Sequence, residues 1–185
     1  MTDAARILGI DPGSRITGYG IVMSDGRSSK HIASGCIRAG SGEFNQRLKI
    51  IFDGVQEVVE THRPEVIAIE QVFVSRSVSS ALKLGQARGA ALAAALAYAL
   101  PVFEYAPTQV KRTITGQGHA DKVQVQHMVK LLIGLHQELN ADQADALAVA
   151  LCHAHHAATA SRLATASVTG NTPATARRGK RQYSK

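Results

Sequence analysis

An α/β fold, with a five-stranded mixed sheet flanked by helices, is predicted by two features of the chain. Short β-branched runs alternate with longer segments of helical period, and the first three runs are separated only by turns while the later ones are separated by helices. Strands joined by tight turns pair antiparallel, whereas strands joined through a helix normally return parallel, so one sheet has to contain both arrangements.

Each element has its own signal. Residues 6–11, Arg-Ile-Leu-Gly-Ile-Asp, read as a buried strand that Pro12-Gly13-Ser14 breaks, leaving Asp11 at its C-terminal end. Ile16–Ser24 and Lys30–Arg38 flank the turn signal Asp25-Gly26, which makes the first three strands an antiparallel meander. Phe44, Leu48, Ile51, Phe52, Val55, Val58 and Val59 then recur at helical spacing to about His62, before Pro64. Val66–Glu70 is a fourth strand, again ending in an acid. Pairing it with the first strand makes Asp11 and Glu70 neighbours at one sheet edge. A helix over Ser79–Leu100 is stopped by Pro101, and its small residues from Gly89 to Ala99 permit close packing. Val102–Tyr105 gives the fifth strand, Pro107–Thr113 a short helix, and residues 115–119 a loop with two glycines. Asp121 opens a helix to about Leu135, and Asn140 caps a last one that runs to about Ala158. The order βββαβαβα, followed by helices, is that of the ribonuclease H-like fold.

With 185 residues and 45% hydrophobic content, the chain can bury a core of its own and fits one domain, residues 1–158. Residues 159–185 lack an apolar period and are expected to form a disordered basic tail. From Ser161 onward there are six cations and no acid, so most of the net charge of +7 sits there. Such a tail attracts nucleic acid nonspecifically or merely keeps the chain in solution. Two cysteines without paired spacing and no leader pattern point to a cytoplasmic, reducing location. The longest apolar run, residues 89–103, falls short of the ~20 residues a membrane span needs, so no membrane association is expected.

Four acids stand where a carboxylate is awkward. Asp11 and Glu70 end apolar runs, and Asp142 and Asp145 lie three apart on one face of an otherwise apolar helix. Attraction to the positive helix N-terminus accounts for Asp142, but Asp145 is already in the second turn. Gathered together, four carboxylates repel unless a cation joins them. Their oxygens suit a hard ion such as Mg²⁺, and two such ions can hold the attacking and leaving oxygens of a phosphodiester. Cys152, His153, His155 and His156 do not match a zinc-finger spacing and are read as the end of the last helix.

Six motifs now stand in order: Gly9-Ile10-Asp11-Pro12-Gly13, Ile69-Glu70-Gln71-Val72-Phe73, Gln109-Val110-Lys111, Thr115-Gly116-Gln117-Gly118, Lys122-Val123-Gln124-Val125 and residues 141–148, Ala-Asp-Gln-Ala-Asp-Ala-Leu-Ala. In this order and spacing the chain resembles the RuvC Holliday-junction resolvase family over about residues 6–158. The resemblance implies a homodimeric endonuclease using Mg²⁺, two ions per subunit with Mn²⁺ as a substitute. It implies symmetric nicks in four-way junction DNA, in recombination and repair, alongside the RuvA and RuvB branch-migration proteins. It assigns Asp11, Glu70, Asp142 and Asp145 to the metals, Lys111 and Lys122 to the cut phosphate, and Phe73 to stacking on a base near the branch point. Arg76 and Lys83 belong to a basic stretch, residues 71–122, that carries net +4 and suits a DNA-facing surface.

Three other readings share parts of this pattern. Asp11-Pro12-Gly13-Ser14 is similar to the phosphate loop of actin-like ATPases, which need two such domains. A catalytically silent junction-binding dimer would use the basic surface alone, with the acids a liability. A hybrid-specific ribonuclease shares the acids but has no evident need for a dimer.

Overall fold

A computed structural model of the chain describes residues 4–71 and 77–169. The elements in chain order are β1 (Ala5–Asp11), β2 (Ile16–Ser24), β3 (Ser29–Arg38), α1 (Phe44–His62), β4 (Val66–Glu70), α2 (Val78–Leu96), β5 (Val102–Tyr105), α3 (Pro107–Thr115), α4 (Lys122–Ile133) and α5 (Ala141–Thr169). The five strands form one sheet in the order β3-β2-β1-β4-β5. β1 pairs antiparallel with β2 and parallel with β4, and β4 pairs parallel with β5. This is the ribonuclease H-like arrangement that the element order predicts.

Helices cover both faces. On one, Leu8, Ile10, Ile21, Ile67 and Ile69 pack with Ile51 and Val55 of α1 and with Ala87, Ala91, Ala94 and Ala95 of α2. On the other, Ile7, Val22, Val66 and Ala68 pack with α3, α4 and the apolar length of α5 from Leu147 to Ala154. The apolar stretches of β1 and β4 thus serve two cores at once, one for each parity of residue.

α3 runs to Thr115, two residues past the expected Thr113, and two helices end farther from where the sequence places them. α2 stops at Leu96 rather than Leu100, because the chain reverses through Ala99 at φ 53° and Pro101 holds the residue before it extended. α5 continues to Thr169, beyond the expected end near Ala158, so residues 159–169 are helical and only the end of the basic tail lies outside the described residues. Here Ser and Thr do not break the helix. Thr159 and Thr165 donate from Oγ1 to the carbonyls of His155 and Ser161, at 2.9 and 3.0 Å, and so turn back onto the preceding turn. The histidine cluster consequently lies inside α5. His153 is buried with its Nδ1 2.8 Å from the Tyr105 hydroxyl, and His156 stacks on the Tyr105 ring, joining α5 to β5. Both cysteines are free, and no helix among the described residues is long and apolar enough to cross a membrane.

Candidate active site

Strand parity decides where the first two acids face. Along β1, Leu8 and Ile10 point into the α1–α2 core while Ile7 and Gly9 point toward α5, so Asp11 comes next on the α5 side. β4 repeats the pattern: Ile67 and Ile69 face one core, Val66 and Ala68 the other, and Glu70 follows on the α5 side. Ile10 pairs with Ile69 in the parallel ladder, which leaves Asp11 and Glu70 side by side where it ends. The two carboxyls act on each other's ionisation.

The turn after Asp11 is held from several sides. Thr17 is fully buried, and its Oγ1 accepts from the Gly13 N–H at 3.3 Å and donates to the Gly13 carbonyl at 3.0 Å. The buried Arg47 of α1 donates to the Ser14 carbonyl, and the Arg15 carbonyl accepts from Ala39 and Gly40. A carboxylate at the end of β1 is therefore carried on a fixed support.

α5 brings the other two acids. Asn140 caps it, Oδ1 accepting from the Gln143 N–H at 2.9 Å, which starts the helix one residue before Asp142. The first turns of α5 lie directly against β1 and β2 because the sheet presents glycine there. A Cβ on Gly9 would meet the Ala146 carbonyl oxygen, and one on Gly18 the Asp142 carbonyl oxygen. A Cβ on Gly20 would lie 2.6 Å from Leu147 Cγ. Close approach of helix to sheet is what puts Asp142 and Asp145 beside Asp11.

The four acids converge electrostatically on Asp11. Burial first, then the charges of Glu70, Asp145 and Asp142, push its carboxyl from 3.8 to about 8. Glu70 is raised as well, by burial and by Asp145, while Asp11 and the nearby Lys122 and Lys111 pull the other way. Lys122 Nζ lies 3.1 Å from Asp145 Oδ2, and that carboxylate holds the ammonium above its ordinary value. Asp121 caps α4 through a reciprocal pair with Gln124, so the cap and the neighbouring lysine have separate tasks. Lys111 and Lys122 thus both stand at the carboxylates, whereas Lys83 is exposed on α2. Phe73 and Arg76 lie outside the described residues.

Among the described residues no three His, Cys, Asp or Glu side chains are gathered closely enough to close on one ion. Asp145 is engaged by Lys122 at 3.1 Å. The donor set is nonetheless all carboxylate oxygen, and the proton held by Asp11 marks where a dication would relieve the repulsion. Mg²⁺ fits such a set.

A pH dependence follows. In the native chain Asp11 holds a proton that the unfolded chain gives up across the window from 3.8 to about 8, so stability without metal falls as pH rises through that window. The melting temperature of chelator-treated protein is expected to drop across it, with a shallower slope for Asp11→Asn. A flat profile for the unaltered protein would rule out a protonated Asp11.

The comparisons with known proteins agree with one another. The family model for crossover junction endodeoxyribonuclease RuvC matches residues 7–153, and the RuvC of Stutzerimonas stutzeri (strain A1501) is 58% identical over 150 residues, 81% of this chain and 86% of its own. The chain belongs to the RuvC family. The solved structure of Thermus thermophilus RuvC in complex with Holliday junction substrate matches with a TM-score of 0.79 at 35% identity, over 84% of this chain and 96% of that one. The yeast mitochondrial Holliday junction resolvase, at 15% identity and a TM-score of 0.65, covers 91% of this chain and 86% of its own, and shares the fold. All four acids and both lysines lie within the residues that the RuvC family model matches.

In this RuvC family member one cation of the basic stretch 71–122, Arg88, has a contact at the site that its sequence does not show. Arg88 of α2 donates from Nε to the main-chain carbonyl of Glu70 at 3.3 Å. An arginine in an alanine-rich helix has the signature of a solvated cation, and nothing in its spacing points to a strand eighteen residues earlier.

Proposed function

We propose that this chain resolves four-way DNA junctions by paired, symmetric nicks, as a divalent-metal-dependent crossover junction endodeoxyribonuclease acting in recombination and repair. The observation that carries this reading is the convergence of Asp11, Glu70, Asp142 and Asp145 from two strands and a helix, with Lys111 and Lys122 at their rim. The four acids would hold Mg²⁺, two ions per subunit, with Mn²⁺ as a substitute. When bound, the metal supplies Lewis-acid polarisation of the scissile phosphate and activates water at neutral pH.

The side chains of the protein do the rest. Asp11 releases its proton when a dication enters, so metal affinity rises with pH up to about 8. Lys122 leaves Asp145 for a phosphate oxygen, and Lys111 offsets phosphate charge beside Glu70. Lys83 and Arg76 contact DNA farther out, and Phe73 stacks on a base near the branch point, where stacking is worth ~1–3 kcal/mol and tolerates any sequence. The basic end of the chain, from residue 170 to 185, adds nonspecific attraction to phosphate.

Two strands of like polarity require two such sites, and α2 offers the surface for a homodimer. Val78, Leu82 and Leu96 are 73, 63 and 54% exposed along it, and nothing lies within 4 Å of a Cβ built on Gly85 or Gly89. A second copy of α2 seated there would bury the stripe at close range. RuvA and RuvB are the expected partners, in the cytoplasm.

The test compares a mobile four-way junction, a linear duplex and an RNA–DNA hybrid, each with Mg²⁺ or chelator. Paired nicks in the junction that require Mg²⁺ are expected, and preferential cutting of the hybrid would replace the reading with a ribonuclease.

A further inference from the structure

The guanidinium of Arg88 spans two adjacent strands from a helix. Its Nε donates to the Glu70 carbonyl at 3.3 Å, and its other end faces Glu104 of β5 as an ion pair, NH2 to Oε2 at 2.8 Å. Glu70 is the last residue of β4, one step beyond the final β1 partner, Ile69, so its carbonyl has run past the ladder on that side. On the other side the Gln71 amide still donates to the Tyr105 carbonyl at 2.9 Å. Glu104 pairs with Ile69 in the β4–β5 register, immediately beside the same strand end. Nε makes the hydrogen bond while NH2 faces the carboxylate by charge alone, without a hydrogen bond, and the point charge of a lysine cannot serve both places. The Arg88 side chain is only 17% exposed against 44% for Glu104. Partial burial of the cation costs desolvation that a half-exposed carboxylate offsets only in part, so the pair is a poor source of stability.

We propose that Arg88 is a positioning residue. It fixes the main chain of Glu70, and so the angle at which that carboxylate meets Asp11, and it ties this angle to the seating of α2. The neighbouring alanines Ala87 and Ala91 hold α2 on the sheet, and the exposed stripe that begins at Val78 and Leu82 lies on the same helix. A partner subunit seated on the stripe would bear on the Glu70 main chain through Arg88. The proposal rests on Glu70 as a metal-holding carboxylate.

Three variants test it: Arg88→Met, Arg88→Lys and Glu104→Gln. The first readout is hydrogen exchange at the Gln71 amide in metal-free protein, which reports the order of the β4 end without any chemistry. The second is the Mg²⁺ concentration for half-maximal single-turnover cleavage of a four-way junction, and the third is junction affinity in Ca²⁺. For Arg88→Met, faster exchange at Gln71 is expected together with a roughly tenfold rise in the Mg²⁺ requirement, as for loss of a group that orients a metal ligand. Junction affinity should stay within about twofold. Arg88→Lys and Glu104→Gln should move the first two readouts the same way by less. Unchanged exchange and unchanged Mg²⁺ requirement would overturn the proposal, as would a loss of affinity that alone accounts for the lost rate. If Arg88→Met does not fold, the other two variants decide by the same criteria. An unaltered chain that nicks no junction refutes the functional reading, while exchange at Gln71 still judges Arg88.

Discussion

Asp145→Asn is expected to bind a four-way junction about as well as the unaltered protein while nicking it on the order of 10³-fold more slowly, a loss of the size seen when a group that stabilises transition-state charge is removed. The amide keeps the shape of the carboxylate and sits in the second turn of an established helix, so folding is little affected. What it removes is one negative charge that reaches both Asp11 and Glu70 and that holds Lys122 at 3.1 Å. Metal attraction falls with that charge. Phosphate repulsion falls too, so affinity for DNA is preserved. Single-turnover nicking in Mg²⁺, set against gel-shift affinity in Ca²⁺, separates the two effects. Ordinary turnover by this variant would remove the four-carboxylate mechanism.

The second large effect is expected from Gly18→Ala. Gly18 stands opposite Asp11 in the β1–β2 ladder, and a methyl group there would run into the carbonyl oxygen of Asp142 and come within 2.6 Å of its carbon. Backbone gives way less readily than a flexible side chain. The first turn of α5 therefore has to lift from the sheet, taking Asp142 and Asp145 with it. Overpacking of this kind costs roughly 3 kcal/mol at its upper end, which in a chain of this size lowers the melting temperature by about 6–12 °C. Cleavage should fall further than stability explains, by about 10²-fold, since a displacement near 1 Å at the reacting groups has that effect. Calorimetry and single-turnover nicking at a temperature where the variant is folded distinguish the two losses. Full activity in a stable Gly18→Ala protein would mean that helix and sheet do not need this contact.

Much of the architecture was legible because the signals were local. Turn residues at Asp25-Gly26 and the helical connection before Val66 determined which strands run antiparallel and which parallel, and that alone brought Asp11 beside Glu70. Asp142 and Asp145 announced themselves as acids on an apolar helix. The contacts that complete the site were hidden because they join residues far apart in the chain. Lys122 meets Asp145 across 23 residues, and Arg88 reaches a main-chain carbonyl, a target that leaves no trace in side-chain pattern. Gly9, Gly18 and Gly20 looked like ordinary strand residues, since a missing side chain does not say what occupies its place. The true length of α5 was obscured by Ser and Thr, whose hydroxyls satisfy the preceding carbonyls instead of ending the helix.

The alternation of β1 between its two cores carries a consequence for how such a chain can change over generations. An exposed turn such as residues 25–28 lies far along the chain from the acids and can gain or lose a residue at small cost to them. Residues 5–10 cannot. Deleting Leu8, for example, turns every later side chain of the strand over, so that Asp11 would take the place of Ile10 and face Ile51 and Val55 while Ile10 would take the place of Gly9 against α5. Only paired insertions or deletions preserve the strand's sense, and a frame of two residues is thereby imposed on this segment by its chemistry.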